Sequence, residues 1–147
     1  MNDFLLIVEN KIVISTFLSF LIASALKVII NGLASSRYDI SLFFKSGHMP
    51  SSHSASVAAA AYAVYRETGV SELFIVALIF ASIVLYDAMG VRRAAGKQAE
   101  VINKIVEDLH YFRKFKTKRL YEFIGHTPKQ VIAGIIVALV ITAIVYA

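Results

Sequence analysis

Residues 130–147 read QVIAGIIVALVITAIVYA and contain no charged side chain. A helix needs roughly 20 mostly apolar residues to cross the hydrocarbon core of a bilayer. The same character recurs along the 147-residue chain, which is 58% hydrophobic and 17% charged, with a mean hydropathy of +0.69. Because this composition is too apolar for a soluble domain of that length, it predicts an integral membrane protein.

Four apolar segments approach the length of a membrane span. We predict spans at about 11–34, 50–66, 71–90 and 128–147. The third is the least secure of the four, because its uncharged core, Leu73–Tyr86, is short. The predicted fold class is all-α: an integral membrane bundle of about four transmembrane helices plus an amphipathic cytoplasmic helix. No repeat or linker divides the chain, so residues 1–147 are predicted to form a single transmembrane domain.

The segment between the third and fourth spans, residues 91–127, is a predicted basic loop. Ten of the fifteen Lys and Arg residues lie in it or directly after it: Arg92, Arg93, Lys97, Lys104, Arg113, Lys114, Lys116, Lys118, Arg119 and Lys129. Basic loops resist translocation and remain in the cytoplasm. We therefore predict a multi-pass protein of the plasma membrane, with loops 35–49 and 91–127 on the cytoplasmic side.

Periodicity within this loop predicts an amphipathic helix between Arg92 and Phe112. Apolar residues recur every three or four positions, and charged residues occupy the opposite face. The helix is predicted either to lie at the membrane interface or to fold over the end of the bundle. The stretch that follows, Lys114–Arg119, is typical of segments that contact lipid headgroups.

Two polar motifs of the same kind begin the second and fourth spans. Met49–Ser54 reads MPSSHS and Gly125–Gln130 reads GHTPKQ. Pro in the first turn and Ser or Thr as the N-cap are favourable helix starts, and Thr127 with Gln130 matches a capping box. Capping accounts for every residue except the two histidines. With four spans, both motifs and the end of the third span lie at one membrane face.

This common face predicts a phosphate site. Helix N-termini present unpaired amide groups and a partial positive charge to an oxyanion. Arg92, Arg93 and Lys97 add cationic donors, and positioned positive charge is what phosphoryl transfer gains most from, with no metal required. One histidine can then attack phosphorus while the other protonates the leaving oxygen.

Other polar residues have a structural and a functional interpretation. Asp87 is costly to place at the end of a span and is therefore a candidate functional residue, or else it forms an ion pair that orients one of the two following arginines. Lys27 is predicted to snorkel or to meet a polar partner, and His48 and His110 to be surface residues. Metal-ligating residues are too sparse for a metal cage, so no metal or other cofactor is predicted.

Three motifs carry a resemblance to a known family: MPSSHSA at 49–55, YDAMGVRRAAGKQA at 86–99 and GHTPKQVIAG at 125–134. Together they resemble the divergent branch of the type 2 phosphatidic acid phosphatase family, relatives of vanadium haloperoxidases, over roughly residues 5–147. The resemblance implies that His53 is the acid, that His126 is the nucleophile and that Arg119 accompanies it upstream.

The predicted function is that of a metal-independent membrane phosphatase, which hydrolyses a phosphorylated lipid or isoprenoid through a phosphohistidine intermediate. The predicted catalytic residues are His126, His53 and Asp87. The predicted phosphate ligands are Arg92, Arg93, Lys97, Ser51, Ser52, Arg119 and Gln130. The predicted partner is a membrane lipid substrate and not a nucleic acid, and so small a unit is a candidate homo-oligomer.

Departures from the family pattern support an alternative. Gln130 stands where the family has an acidic residue beside its nucleophile, and the family's first block, a Lys followed by Arg-Pro, has no counterpart. His48 stands where this branch is expected to have a glycine. The alternative function is that of a non-catalytic membrane module, which binds anionic lipid headgroups or a partner protein through its basic loop.

Overall fold

The computed structural model describes residues 2–110, 119–122 and 124–147, with the backbone alone described at 2–4, 109 and 110. Regular structure within these ranges is helical. In chain order the helices are α1 (Asn2–Glu9), α2 (Lys11–Ser35), a 3₁₀ turn (Ile40–Phe43), α3 (Ser52–Thr68), α4 (Glu72–Met89), α5 (Val91–His110) and α6 (Pro128–Val145). The predicted fold class, an all-α helical membrane bundle, is confirmed. The basic residues Arg113, Lys114, Lys116 and Lys118 lie outside the described ranges.

Three helices within the described ranges are long and apolar enough to cross a membrane. They are α2, the helical region Glu72–Asp108 that contains α4, and α6, with mean hydropathies of 2.2, 2.3 and 2.1 in their most apolar windows. Helix α3 has 17 residues and is not among them. By length and hydropathy the second predicted span, α3, meets these criteria less well than the third, and the positions of the spans in a membrane stay a prediction.

The composition of α3 follows from its position in the bundle. It contacts α2, α4 and α6, so its side chains face protein on several sides. Ala55, Ala59 and Ala63 recur every fourth residue and have no exposed surface. Small residues at this spacing let neighbouring helices approach closely. A buried central helix of this kind needs small side chains more than large apolar ones, which lowers its hydropathy.

The N-terminal ends of α3 and α6 meet directly. The backbone N–H of Ser51 donates to the carbonyl oxygen of Gln130 at 3.0 Å. Gly134, in the second turn of α6, lies so close to the Ser51 carbonyl oxygen that any Cβ there would collide with it. Both histidine motifs thus lie at the same end of the bundle.

Helix α5 begins after a break of one residue, Gly90, whose φ of −98° and ψ of −91° are not helical. It packs against the segment that leads into α6. The side chain of Asn103 is 6% exposed and pairs with the backbone of Leu120 in both directions, as donor at 2.8 Å and as acceptor at 2.9 Å. Gly96 leaves room for the carbonyl group of Glu122. These contacts bring the chain back to the end of the bundle where the motifs lie.

Candidate functional site

His126 lies two residues before α6 and is almost completely buried, with 2% of its surface exposed. Its backbone N–H donates to the carbonyl oxygen of Ala88, in the last turn of α4, at 3.1 Å. The preceding residue, Gly125, lies directly against the backbone of Arg93, where a Cβ would collide. Contacts with α4 and α5 therefore fix the position of the imidazole before α6 begins.

Neither ring nitrogen of His126 has a hydrogen-bond partner among the described residues. Buried polar groups usually have partners, because leaving one unpaired costs roughly 1–3 kcal/mol. An imidazole in this condition is what a ligand-binding or reactive group requires, since both nitrogens are available to a bound molecule.

Two cavities border His126. The larger, of about 490 Å³, lies between α5 and the start of α6 and is lined by His48, Arg93, Gly96, Lys97, Glu100, Glu122, Gly125, His126, Thr127 and Gln130. The smaller, of about 20 Å³, is lined by His53, Val84, Ala88, Arg92 and His126. A water molecule occupies about 30 Å³ in the liquid, so the larger cavity has room for a phosphorylated headgroup. The smaller one brings both motif histidines and an arginine to a single point.

Arg92 is held at this point by Asp87. Its Nε donates to Asp87 Oδ2 at 2.6 Å, and both side chains are partly exposed. Asp87 lines neither cavity. Of the two interpretations of Asp87 from the sequence, the structure thus shows the ion pair that orients an arginine. Exposed ion pairs stabilise a fold by about 1 kcal/mol at most, so the pair matters for the direction of the guanidinium rather than for stability.

Lys27 contributes a buried positive charge. From the sequence it is expected to snorkel or to meet a polar partner, and the structure shows polar partners. Its side chain is 1% exposed, and Nζ donates to the carbonyl oxygen of Lys45 at 3.0 Å and to Ser52 Oγ at 3.4 Å. Both acceptors are neutral, and no carboxylate within the described residues forms an ion pair with it. A buried ammonium group is costly unless its charge is compensated, so this end of the bundle favours an anion.

The electrostatics of His126 reflect these surroundings. Burial lowers its pKa from 6.5 to about 4, and the positive charges of His53, Lys27 and Arg92 act in the same direction. The imidazole is therefore neutral at pH 7 and keeps a nitrogen lone pair, which a nucleophile needs. The same charges that lower this pKa also stabilise a bound anion.

His48 lines the larger cavity, although the sequence interpretation placed it on the surface. It is half-buried, and burial, followed by the charge of Lys27, lowers its pKa. Its φ of +65° lies in the left-handed region, which favours glycine. The sequence did offer a signal for His48, because a glycine is expected at this position in the family branch. A glycine there indicates a left-handed turn of the backbone, and this turn places His48 at the cavity.

The predicted serine ligands are engaged in holding the start of α3. Ser51 is fully buried and caps the helix, with its Oγ accepting from the backbone N–H of Ser54 at 3.2 Å and from its hydroxyl at 2.9 Å. Ser52 Oγ accepts from Lys27. Neither serine lines the two cavities at His126. Their contacts are to the protein, and Ser52 is a hydrogen-bond partner of Lys27.

Gln130 and Arg119 also have partners in the protein. Gln130 lines the larger cavity, but its Oε1 accepts from the backbone N–H of Thr127 at 2.8 Å, as the predicted capping box requires. Arg119 is exposed and pairs with Glu122 at 3.1 Å and with Glu107 at 3.5 Å. It does not line the cavity, whereas Arg93 and Lys97 do.

Comparison with known proteins gives two matches that cover nearly the whole chain. A sequence model described as the Divergent PAP2 family matches residues 8–141. The chain is also 39% identical to the uncharacterized membrane protein YuiD of Bacillus subtilis (strain 168), over 150 residues that cover 94% of this chain and 95% of that protein. No solved structure matches the chain significantly.

Proposed function

Since the chain belongs to the Divergent PAP2 family, we propose that it is a multi-pass plasma-membrane phosphatase acting on a phosphorylated lipid or isoprenoid. The observation that carries this proposal is the buried His126, whose ring nitrogens have no partner within the described residues and whose pKa of about 4 keeps it neutral. It borders one small cavity with His53 and Arg92. The basic loop 91–127 supports a cytoplasmic location for this face.

In the proposed reaction His126 attacks phosphorus, and a P–N bond forms as the bond to the leaving oxygen breaks. His53 starts protonated and donates its proton to that oxygen. The leaving group therefore departs as an alcohol or as a protonated phosphate. A water molecule then gives a proton back to His53 and attacks phosphorus, and the P–N bond to His126 breaks. The products are inorganic phosphate, the free His126 and the protonated His53, so the cycle is balanced without a metal.

The phosphate is held by charge from several sides in this proposal. Arg92, oriented by Asp87, borders the two histidines, and Arg93 and Lys97 line the larger cavity. Guanidinium groups can bind two phosphate oxygens at once. Lys27 adds a buried charge that no carboxylate in the described part of the chain neutralises. Asp87 acts through Arg92 and is thus a positioning residue.

Three predicted phosphate ligands take supporting roles in the proposal. Ser51 caps α3, Gln130 closes the capping box of α6, and Arg119 pairs with the two glutamates near α5. Each of these contacts fixes a segment that carries a histidine or lines the cavity. Ser52 remains connected to the site through its contact with Lys27.

The test is phosphate release by the purified full-length protein in detergent with a metal chelator present. The substrates are phosphatidic acid, phosphatidylglycerol phosphate and undecaprenyl pyrophosphate. We expect release from at least one of them, and a loss of at least about a thousandfold in His126→Ala. Arg66→Ala, at the opposite end of α3, is the control and should keep full activity. No release from any of the three by folded protein would overturn the proposal.

A second candidate is the non-catalytic module that binds anionic headgroups or a partner protein. The favouring observation is that Gln130 stands in the place of the acidic partner, but its amide oxygen accepts from the backbone N–H of Thr127 and not from the imidazole. Vanadate binding separates the two candidates. Affinity that survives His126→Ala but is lost when the basic residues of 113–119 are neutralised supports the module, and the reverse pattern supports the phosphatase.

A further inference from the structure

Helix α5 has a packed surface and, next to it, an exposed apolar surface. The first lies against the chain leading to α6 and includes Ala99 and the polar Asn103, each 6% exposed. The second consists of Val91, Val101, Ile102 and Ile105, which are 65%, 58%, 47% and 52% exposed. Four large apolar side chains on one helix therefore have about half or more of their surface uncovered in the described part of the chain, and we call them the outer apolar face.

The outer apolar face occupies one side of the helix, with Gln98 between Val91 and Val101. At about 100° per residue, its four side chains fall within an arc of about 100°, next to the packed face and opposite most of the charged residues. Glu100, which lines the larger cavity, belongs to the charged side of the helix. An arc of this width is what an amphipathic helix presents to an apolar partner.

The connection to α4 places this face near the membrane surface. Helix α4 lies in a region long and apolar enough to span a bilayer, and only Gly90 separates its end from the first turn of α5. Because the backbone of Gly90 is not helical, α5 does not continue α4 as a straight rod. Its contacts with Leu120 and Glu122 tie it to the end of the bundle from which α6 starts.

A shallow groove on α5 has the chemistry of a lipid contact. It measures about 350 Å³ and is lined by Lys97, Gln98, Val101 and Ile102. Two apolar side chains with a lysine beside them match a molecule that has an apolar chain and an anionic headgroup. The sequence continues the positive charge, since four of the six residues in Lys114–Arg119 are basic.

We propose that α5 is an in-plane membrane helix, whose outer apolar face lies in the interfacial layer of a bilayer containing anionic lipid. The partner is the lipid surface, and the attraction combines burial of the four apolar side chains with the basic charge around them. The proposal does not depend on catalysis. It implies that Arg93 and Lys97, on the same helix, are held at the depth of the lipid headgroups, so that the larger cavity opens at that depth.

The chain contains no Trp, so a single introduced Trp reports on its own position. We would reconstitute full-length Ile102→Trp into phosphatidylcholine vesicles with and without phosphatidylglycerol, using lipids brominated along the acyl chain as quenchers. The matched control is Lys104→Trp, two residues away on the charged side. We expect bromolipids to quench Ile102→Trp several-fold more than Lys104→Trp, and aqueous acrylamide to show the opposite order.

Two results would overturn the proposal. If acrylamide quenches Ile102→Trp as strongly as the control and bromolipids do not, the face is in water. If neither quencher reaches it, and Ile102→Cys chains crosslink to each other, a second copy of the chain covers the face. Should Ile102→Trp fail to fold, Val101→Trp reports on the same face. These readouts hold whether or not the protein releases phosphate.

Discussion

The two histidine motifs begin with similar sequences but have different surroundings. His53 lies in the first turn of α3 and is exposed, whereas His126 precedes α6 and is buried. The α3 motif is fixed by its own serines, and the α6 motif by contacts from α4 and α5. The comparison teaches that the chain around a motif, rather than the motif itself, sets how deeply its histidine is buried.

This difference predicts an asymmetric response to removing each histidine. With a lipid phosphate, His126→Ala should lose at least about a thousandfold in activity, and His53→Ala about a hundredfold or more. With an aryl phosphate, whose leaving group needs no proton, His53→Ala should regain activity close to that of the parent protein. Phosphate release from both substrates measures this, and equal rescue of the two variants would contradict the assignment.

The buried amide of Asn103 tests what holds the α6 motif. Asn103→Ala leaves two backbone groups of Leu120 without partners, so we expect unfolding to become easier by about 2–3 kcal/mol. The pKa of His126 should rise toward 6.5 as the segment loosens. Denaturant unfolding and ¹⁵N NMR of histidine measure the two effects. Asn31→Ala is the matched control, and an unchanged His126 titration in Asn103→Ala would show that the segment is fixed by other contacts.

The pH dependence of the free energy of unfolding tests the burial of His126. The folded pKa of His126, about 4, lies below the unfolded value of 6.5, so the unfolded chain binds more protons between these values. Stability should be unaffected by this group above pH 6.5 and fall as pH drops toward 4, by about 2 kcal/mol at pH 5 relative to pH 7. Unfolding of His126→Asn over the same range should lack this component. A parent NMR midpoint near 6.5 would refute the prediction.

The smallest expected effect concerns Lys27, which lies near both motifs. Lys27→Met removes the buried charge, so vanadate binding should weaken about tenfold, equivalent to about 1.4 kcal/mol. Stability should not fall, because burying an unpaired ammonium is itself costly. Lys45→Met, in an exposed side chain, is the control and should bind vanadate normally. Vanadate titration measures the difference, and equal affinities for the two variants would exclude Lys27 from the site.

The fold class could be predicted from the sequence because apolar length and helical periodicity are local properties. The relative hydropathy of the spans could not be explained from the sequence. Helix α3 is rich in alanine because it packs against three neighbouring helices. The same limit applies to α5. Its apolar residues share one side of a helical wheel, but which of them touch Leu120 and Glu122 depends on where residues 119–122 return.

The candidate site shows a similar division. The proximity of the two motifs could be anticipated from their position at span starts, and Arg92, Arg93 and Lys97 border the same cavities as His126. His48 could not be assigned, because it lines the larger cavity only through a fold between distant segments. The same applies to Lys27, which lines neither cavity but whose charge acts on His126. The serines and Gln130 illustrate the reverse problem, since residue type alone does not reveal that a capping bond already occupies an oxygen. The catalytic roles themselves remain predictions.

The hydrogen bond from Ser51 to the carbonyl oxygen of Gln130, with Gly134 beside it, has a mechanical consequence. It joins the N-terminal ends of α3 and α6, so that small movements of the bundle are expected to displace both ends, and both imidazoles, together. The spacing between His53 and His126 is therefore expected to stay nearly constant when the two helices move. A single methyl group at position 134 would be enough to weaken this junction, because it would collide with the Ser51 carbonyl oxygen.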